Sequence, residues 1–179
     1  MTQADPRGSR RLAYGLIALG VLGRLLPHIP NVTPATALAL FGTAMLPGAW
    51  GLVIPLLMVA LRDCVIGLYD TVLWTWAGFT LTASLGWWIR RRPSAPRIIG
   101  ASCLGSMIFF LVTNFGVWLI GDRGTMYPKT LDGLRACYWA ALPFLRASML
   151  GDLVYTVGVF GLYALASRSR LVAATARPR

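Results

Sequence analysis

Apolar residues dominate the chain in long runs, and the polar positions fall into short clusters between them. Leu12–Leu26, Pro34–Leu46, Ala49–Leu61, Thr71–Ile89, Ile98–Ile120 and Leu142–Ala166 each read as a helix with few or no charges. The runs are continuous and do not alternate, which disfavours a closed β-barrel. Pro27-His28-Ile29-Pro30 ends the first run, because proline cannot continue a helix. Pro47-Gly48 is a turn between the second and third, and Arg90-Arg91-Arg92-Pro93 ends the fourth. The second and third runs are short, about 20 Å each at 1.5 Å per residue, against a hydrocarbon core of about 30 Å. Tilted short spans and a re-entrant hairpin both fit, and both return the chain to the side it left.

The polar break between the third and fourth runs, Leu61 to Asp70, is read as a loop. It holds Arg62, Asp63, Cys64, Tyr69 and Asp70. A second polar loop is expected from Gly121 to Cys137, with Asp122, Arg123, Tyr127, Lys129 and Asp132. These assignments predict an all-α integral membrane protein. A basic tail over residues 1–11 precedes a six-helix membrane domain over 12–167, and a second basic tail covers 168–179.

Charge then orients the bundle. The 179 residues are 56% hydrophobic and only 13% charged, with a net charge of +11. With six crossings, Arg7, Arg10, Arg11, Arg90, Arg91, Arg92, Arg97, Arg168, Arg170, Arg177 and Arg179 share one side, whose only acid is Asp5. The other five acids lie on or toward the opposite side. The positive-inside rule places both termini in the cytoplasm, and no nucleic-acid motif accompanies the positive charge. The loop holding His28 and Asn31, the Leu61–Asp70 stretch and the loop holding Tyr127 then face outward together.

Chemistry-bearing residues are few. Cys64 is a soft ligand for a transition metal, flanked by Arg62 and Asp63, whose charges act oppositely on a thiolate. The competing reading is a small hydrophobe at a helix end, as for Cys103 and Cys137. His28 is the only histidine, so a metal site made by protein alone is not expected, and a structural role competes with ligand binding. Asp152 falls about ten residues into the last run, where an acid is costly and faces a bundle interior. Asn114 or Arg146 is its expected partner, unless it caps a break in the helix. Tyr69 and Tyr127 have a claim to ligand contact, whereas Trp74, Trp76, Trp87, Trp88 and Trp118 read as interfacial aromatics. No HExxH, phosphate-binding glycine loop or paired-carboxylate motif is present, and Gly100-Ala101-Ser102-Cys103 is a weak match to a protease serine. An enzyme is not expected.

Several phrases occur together in order. They are Arg24-Leu25-Leu26-Pro27-His28 with Asn31-Val32-Thr33-Pro34, Asp63-Cys64-Val65-Ile66-Gly67-Leu68-Tyr69-Asp70, Thr113-Asn114-Phe115-Gly116-Val117-Trp118, Tyr127-Pro128-Lys129-Thr130, and Gly151-Asp152-Leu153-Val154-Tyr155. Over about residues 24 to 163 this order resembles the substrate-binding S-components of energy-coupling-factor (ECF) vitamin transporters. The presence of Cys64 is similar to the branch of solitary cobalamin (vitamin B12) transporters, the BtuM type. The resemblance implies six helices in the bacterial cytoplasmic (inner) membrane and a pocket near the outer face. It implies no intrinsic cofactor, with cobalamin as the transported ligand and Cys64 as the axial ligand of its cobalt. Asp63, Tyr69, His28, Asn31, Tyr127, Asn114 and Asp152 are the other candidate ligand-binding residues. The first run has no pair of small residues four apart of the kind that docks the energising ECF module: Ala13 is followed by Ile17, Gly15 by Leu19, Ala18 by Leu22 and Gly20 by Arg24. Dependence on that module is therefore not expected. An S-component for another small vitamin, a structural membrane protein without a ligand, and a membrane enzyme acting on the corrinoid remain as alternatives.

Overall fold

The structure, a computed structural model, describes residues 14–15 and 34–175. The first predicted run, Leu12–Leu26, thus falls outside the described residues apart from Tyr14 and Gly15, and so do His28 and Asn31. From Pro34 onward the chain forms α1 (Ala35–Met45), α2 (Trp50–Ile66), α3 (Val72–Arg91), α4 (Ala95–Ile120) and α5 (Leu131–Thr175). A 3-10 turn, Gly121–Gly124, lies between the last two. No strand occurs among the described residues. The apolar stretches Ala95–Gly124 and Leu131–Ser167 are long and apolar enough to cross a membrane.

Side-chain pairings fix the directions. Gly42 meets Gly51 while Ala35 and Ala39 pack with Val59, so α1 and α2 form an antiparallel hairpin. Thr82 bonds to Gly105 and Gly116 lies against Trp74, which runs α3 and α4 antiparallel. Ser106 meets Asp152 and Ser102 meets Thr156, which does the same for α4 and α5. One end of the bundle carries Arg90 and Arg97 (the arginine end). The other carries the 67–70 and 121–130 connections (the loop end).

Helix α1 is the centre of the packing. Every residue from Ala35 to Ala44 is buried, as expected of a short helix that is apolar all round. Small residues make this possible. A Cβ at Gly42 would come within 2.8 Å of the Gly51 carbonyl oxygen, and one at Gly86 would overlap Thr43. Backbones therefore approach at these crossings as small residues allow. Small-residue packing thus lies in α1 and its neighbours. Toward the arginine end, Leu40, Phe41, Leu46, Ile89, Ala101 and Phe160 form one apolar cluster, with Phe41 edge-on to Phe160 and Tyr163 at 5.2 and 5.3 Å between ring centroids.

The C-terminus of α1 also shows what ends it. The last carbonyls of a helix lack intrahelical partners. Here Arg90 of α3 supplies them: its Nε donates to the Ala44 carbonyl at 3.1 Å, and its guanidinium also reaches the carbonyls of Thr43 and Leu46. Thr43 adds a second tie to α3 through its hydroxyl, 2.5 Å from the Ala83 carbonyl.

Two predicted boundaries are corrected. Leu61–Ile66 is not loop: α2 continues through it and stops only at Gly67, whose φ of 113° favours glycine. The helix continues because Asp63 is 1% exposed, so its polarity is spent inside the bundle and not on solvent. The Gly121–Cys137 loop is likewise shorter, because α5 begins at Leu131. The chain reverses where Asp122, Arg123 and Gly124 all take positive φ, at 47°, 54° and 85°, and stays irregular through residue 130. Pro143 lies inside α5 without ending it; its missing N–H removes one ladder bond but leaves the rest of the helix intact.

Candidate functional site

The loop end is knitted from two connections. After Gly67, the chain turns through Leu68, Tyr69 and Asp70 before α3 begins. The Asp70 carboxylate accepts the Arg123 backbone N–H at 3.1 Å, joining this turn to the 3-10 segment. Further along, Trp118 Nε1 donates to the Pro128 carbonyl at 2.9 Å. The Lys129 ammonium donates to the Trp118 carbonyl and lies 5.8 Å from the centre of the Trp118 ring. Trp74 packs on Gly116 and edge-on to Phe115 at 5.3 Å, so an aromatic floor underlies the connections.

The residues singled out from the sequence divide at this end. Asp63 and Cys64 are neighbours on the last turn of α2, and successive helical residues point about 100° apart. Asp63 therefore faces inward, where Trp76 Nε1 donates to its carboxylate at 3.0 Å. Cys64 faces outward with an exposed thiol. Tyr69 is exposed and Tyr127 is half-buried, the latter accepting a 3.4 Å bond from Lys129 at its carbonyl. Asp63 is thus paired with an indole, beside the exposed pair Cys64 and Tyr69.

Asn114 belongs to neither group. Its side chain donates to the Phe110 carbonyl one turn back at 2.8 Å, and its own carbonyl accepts from the buried Cys137 thiol at 3.4 Å. Asn114 and Cys137 together tie α4 to α5. Arg146 is exposed on α5. Neither Asn114 nor Arg146 hydrogen-bonds to Asp152, which corrects both expected pairings, and the unbroken run of α5 through Asp152 corrects the capping alternative.

Asp152 sits in a polar junction of three helices. Its carboxylate oxygen lies 2.6 Å from the Ser106 hydroxyl of α4 and also bonds the Thr36 hydroxyl of α1. Ser106 Oγ is in turn 3.1 Å from the Ser102 carbonyl. One turn nearer the arginine end, the Ser102 and Thr156 hydroxyls meet at 3.2 Å. All five residues are buried. A sequence signal for this junction exists: Ser102 and Ser106 are four apart, as are Asp152 and Thr156, and residues four apart share a helix face. Two antiparallel faces with matching spacing align both pairs at once.

Among the described residues no group of three or more His, Cys, Asp and Glu side chains comes together. The loop end presents, among the described residues, the Cys64 thiol, exposed Tyr69 and half-buried Tyr127 beside loops held on an aromatic floor. No curated protein and no solved structure matches the chain. Residues 7–175, nearly the whole chain, match the family model DUF6580, a family of unknown function, and the chain belongs to that family.

Proposed function

We propose that the protein is an uptake transporter of the bacterial cytoplasmic membrane that binds cobalamin at its loop end. In this reading both termini are cytoplasmic, six crossings form the bundle, and the loop end faces outward. The observation that carries it is the exposed thiol of Cys64, held on the last turn of α2 beside exposed Tyr69. A thiolate is a soft donor suited to cobalt in a corrinoid. Cys64 takes one axial position, and the tetrapyrrole supplies the four equatorial ligands. Tyr69 and Tyr127 bracket the ligand, with His28 and Asn31 as further contacts.

The geometry refines the roles within this proposal. Asp63 is a positioning residue: its bond to Trp76 fixes the last turn of α2 and so the direction of the Cys64 thiol. Asn114 and Asp152 serve the bundle and leave the set of ligand contacts. The protein works without an energising module, a reading supported by the first run, which has no small pair four apart.

The test is absorbance of cobalamin titrated into the purified full chain in detergent or lipid. Thiolate ligation changes the corrinoid spectrum, and Cys64→Ser abolishes that change while leaving the thermal stability of the protein close to that of the parent. An unchanged spectrum on Cys64→Ser, with binding retained, would sink the ligation. Absence of any cobalamin binding, with another vitamin from a panel bound instead, would replace the substrate. Growth on limiting cobalamin in a strain without other importers reads transport itself.

A further inference from the structure

Charge is unevenly distributed along the bundle. The acids among the described residues are Asp63, Asp70, Asp122 and Asp132 at the loop end and Asp152 inside. The arginine end holds Arg90, Arg91, Arg92 and Arg97, and no carboxylate among the described residues. Arg90 is committed to the last carbonyls of α1. Arg91 and Arg92 are exposed, and neither they nor Arg97 makes an ion pair with a described residue. Like charges this close repel one another, so an anion from outside the chain is favoured here.

Two of these arginines are brought to one place. Arg97, on the first turn of α4, donates from its guanidinium to the Arg92 carbonyl at 3.0 Å. The same guanidinium lies over the Trp88 ring, 5.1 Å from its centre. Both contacts hold Arg97 against the end of α3, at the residue that carries the second guanidinium. The Arg92 side chain hydrogen-bonds to no described residue. A guanidinium has five N–H donors and a stacked ring uses none of them, so both forks keep donors for a ligand.

An apolar furrow runs away from this pair between α3 and α4. Leu81 and Trp88 are seven residues apart on α3, and Arg97 and Leu104 seven apart on α4, about two helical turns in each case. The contact of Arg97 with Trp88 puts these two faces on the same side of the helix pair. Because α3 and α4 are antiparallel, Leu81 and Leu104 both lie about 10 Å from that contact toward the loop end. Trp88 is 43% exposed, Leu81 49% and Leu104 45%, so the furrow is open along its length. Cationic side chains, then an indole, then apolar side chains follow the order from headgroup to acyl chain in a bilayer.

We propose that the arginine end holds an anionic phospholipid. Its phosphate lies between the guanidiniums of Arg92 and Arg97, its glycerol region against Trp88, and an acyl chain along the furrow toward Leu81 and Leu104. The furrow selects a lipid over a soluble phosphate, which would leave Leu81 and Leu104 uncovered. The unpaired positive charge selects a headgroup with net negative charge over a zwitterionic one. Arginine suits the role because its planar fork holds two phosphate oxygens at once. The inference rests on the membrane setting of the proposed function and is independent of which ligand the loop end takes.

Native mass spectrometry of the full chain, released from mixed micelles of phosphatidylglycerol and phosphatidylcholine, reads the site. The expected result is one phosphatidylglycerol retained in preference to phosphatidylcholine by about 25-fold, from roughly fivefold per guanidinium. Arg92→Ala combined with Arg97→Ala removes the preference. Arg10→Ala combined with Arg11→Ala, an equal change of charge in the basic tail, keeps it. Inorganic phosphate added at constant ionic strength leaves the lipid in place. The parent's own choice between the two lipids keeps the test decisive if the first paired variant does not fold. A parent that retains both lipids equally overturns the proposal, and so do equal losses in the two paired variants. Displacement by inorganic phosphate also overturns it, since the site would then take the free anion. Cobalamin titration of the same samples separates the two readings: cobalamin binding without a lipid preference sinks this inference alone, and a lipid preference without cobalamin binding leaves it standing.

Discussion

Asp63 and Asp152 are both buried carboxylates, yet they are built in opposite ways. Asp63 receives the indole N–H of Trp76, a rigid group that can only donate. Asp152 meets the hydroxyls of Ser106 and Thr36, which can donate or accept. The Asp63–Trp76 bond is thereby committed to one direction and fixes a geometry. The hydroxyls around Asp152 can each turn toward the carboxyl or toward a backbone carbonyl, so that junction is held by adaptable groups. Two buried acids thus teach that the partner's hydrogen-bonding repertoire, more than burial, separates a fixed joint from an adaptable one.

The contrast can be broken most severely at the helix crossings. Gly86→Leu forces a side chain into Thr43 and the Leu40 backbone, and overpacking of this kind costs about 3 kcal/mol or more where backbone must move. Thermal unfolding should show a larger loss for this variant than for any of the four that follow, and displacement of α1 takes Thr36 away from Asp152. Trp76→Phe keeps a ring but removes the donor to Asp63. The expected loss is about 1–3 kcal/mol, and under the proposed function cobalamin binding weakens with it, since the Trp76 bond to Asp63 holds the turn that carries Cys64. Asp63→Asn tests the same bond from the other side: its amide oxygen can still accept from the indole, so it should lose less than Trp76→Phe. If the two variants are equal, the donor-only account of Asp63 is wrong. Ser102→Ala removes one interhelical hydroxyl pair, a contribution of about 0.6 kcal/mol in membrane bundles. Thermal unfolding should show a smaller loss for it than for Trp76→Phe. Asp70→Ala deletes an exposed loop tie and should change stability by no more than about 0.5 kcal/mol.

Sequence and structure agree where composition alone decides the outcome. Long apolar runs with Pro, Gly and Arg at their ends mark α1, α3 and the body of α4 close to their observed limits. The two part where a polar residue reads as a solvent signal. Asp63 makes the last turn of α2 resemble a loop, because a pattern of polar and apolar letters does not record that Trp76, thirteen residues on, folds back to meet it. Asp132 and Arg135 similarly disguise the first turns of α5, which are helical, with both side chains exposed at the loop end. The last run is read from Leu142, whereas the helix starts at Leu131, so Pro143 is an interior residue. At the site level, Cys64 and Tyr69 are legible as exposed candidates. The Asp152 junction is legible only as two matching spacings of four, because antiparallel packing of α4 on α5 is what joins Ser102 to Thr156 and Ser106 to Asp152.

The cap that Arg90 places on α1 has a mechanical meaning. Three carbonyls at the end of α1 and the Thr43 hydroxyl all fasten this helix to α3, so the two form one rigid strut. Against α5, by contrast, α1 has edge-on aromatic contacts and the polar meeting of Thr36 with Asp152. Aromatic surfaces slide more readily than a forked guanidinium lets go. The contact of α1 with α5 is therefore the less tightly fastened of the two, and Asp152 lies on it.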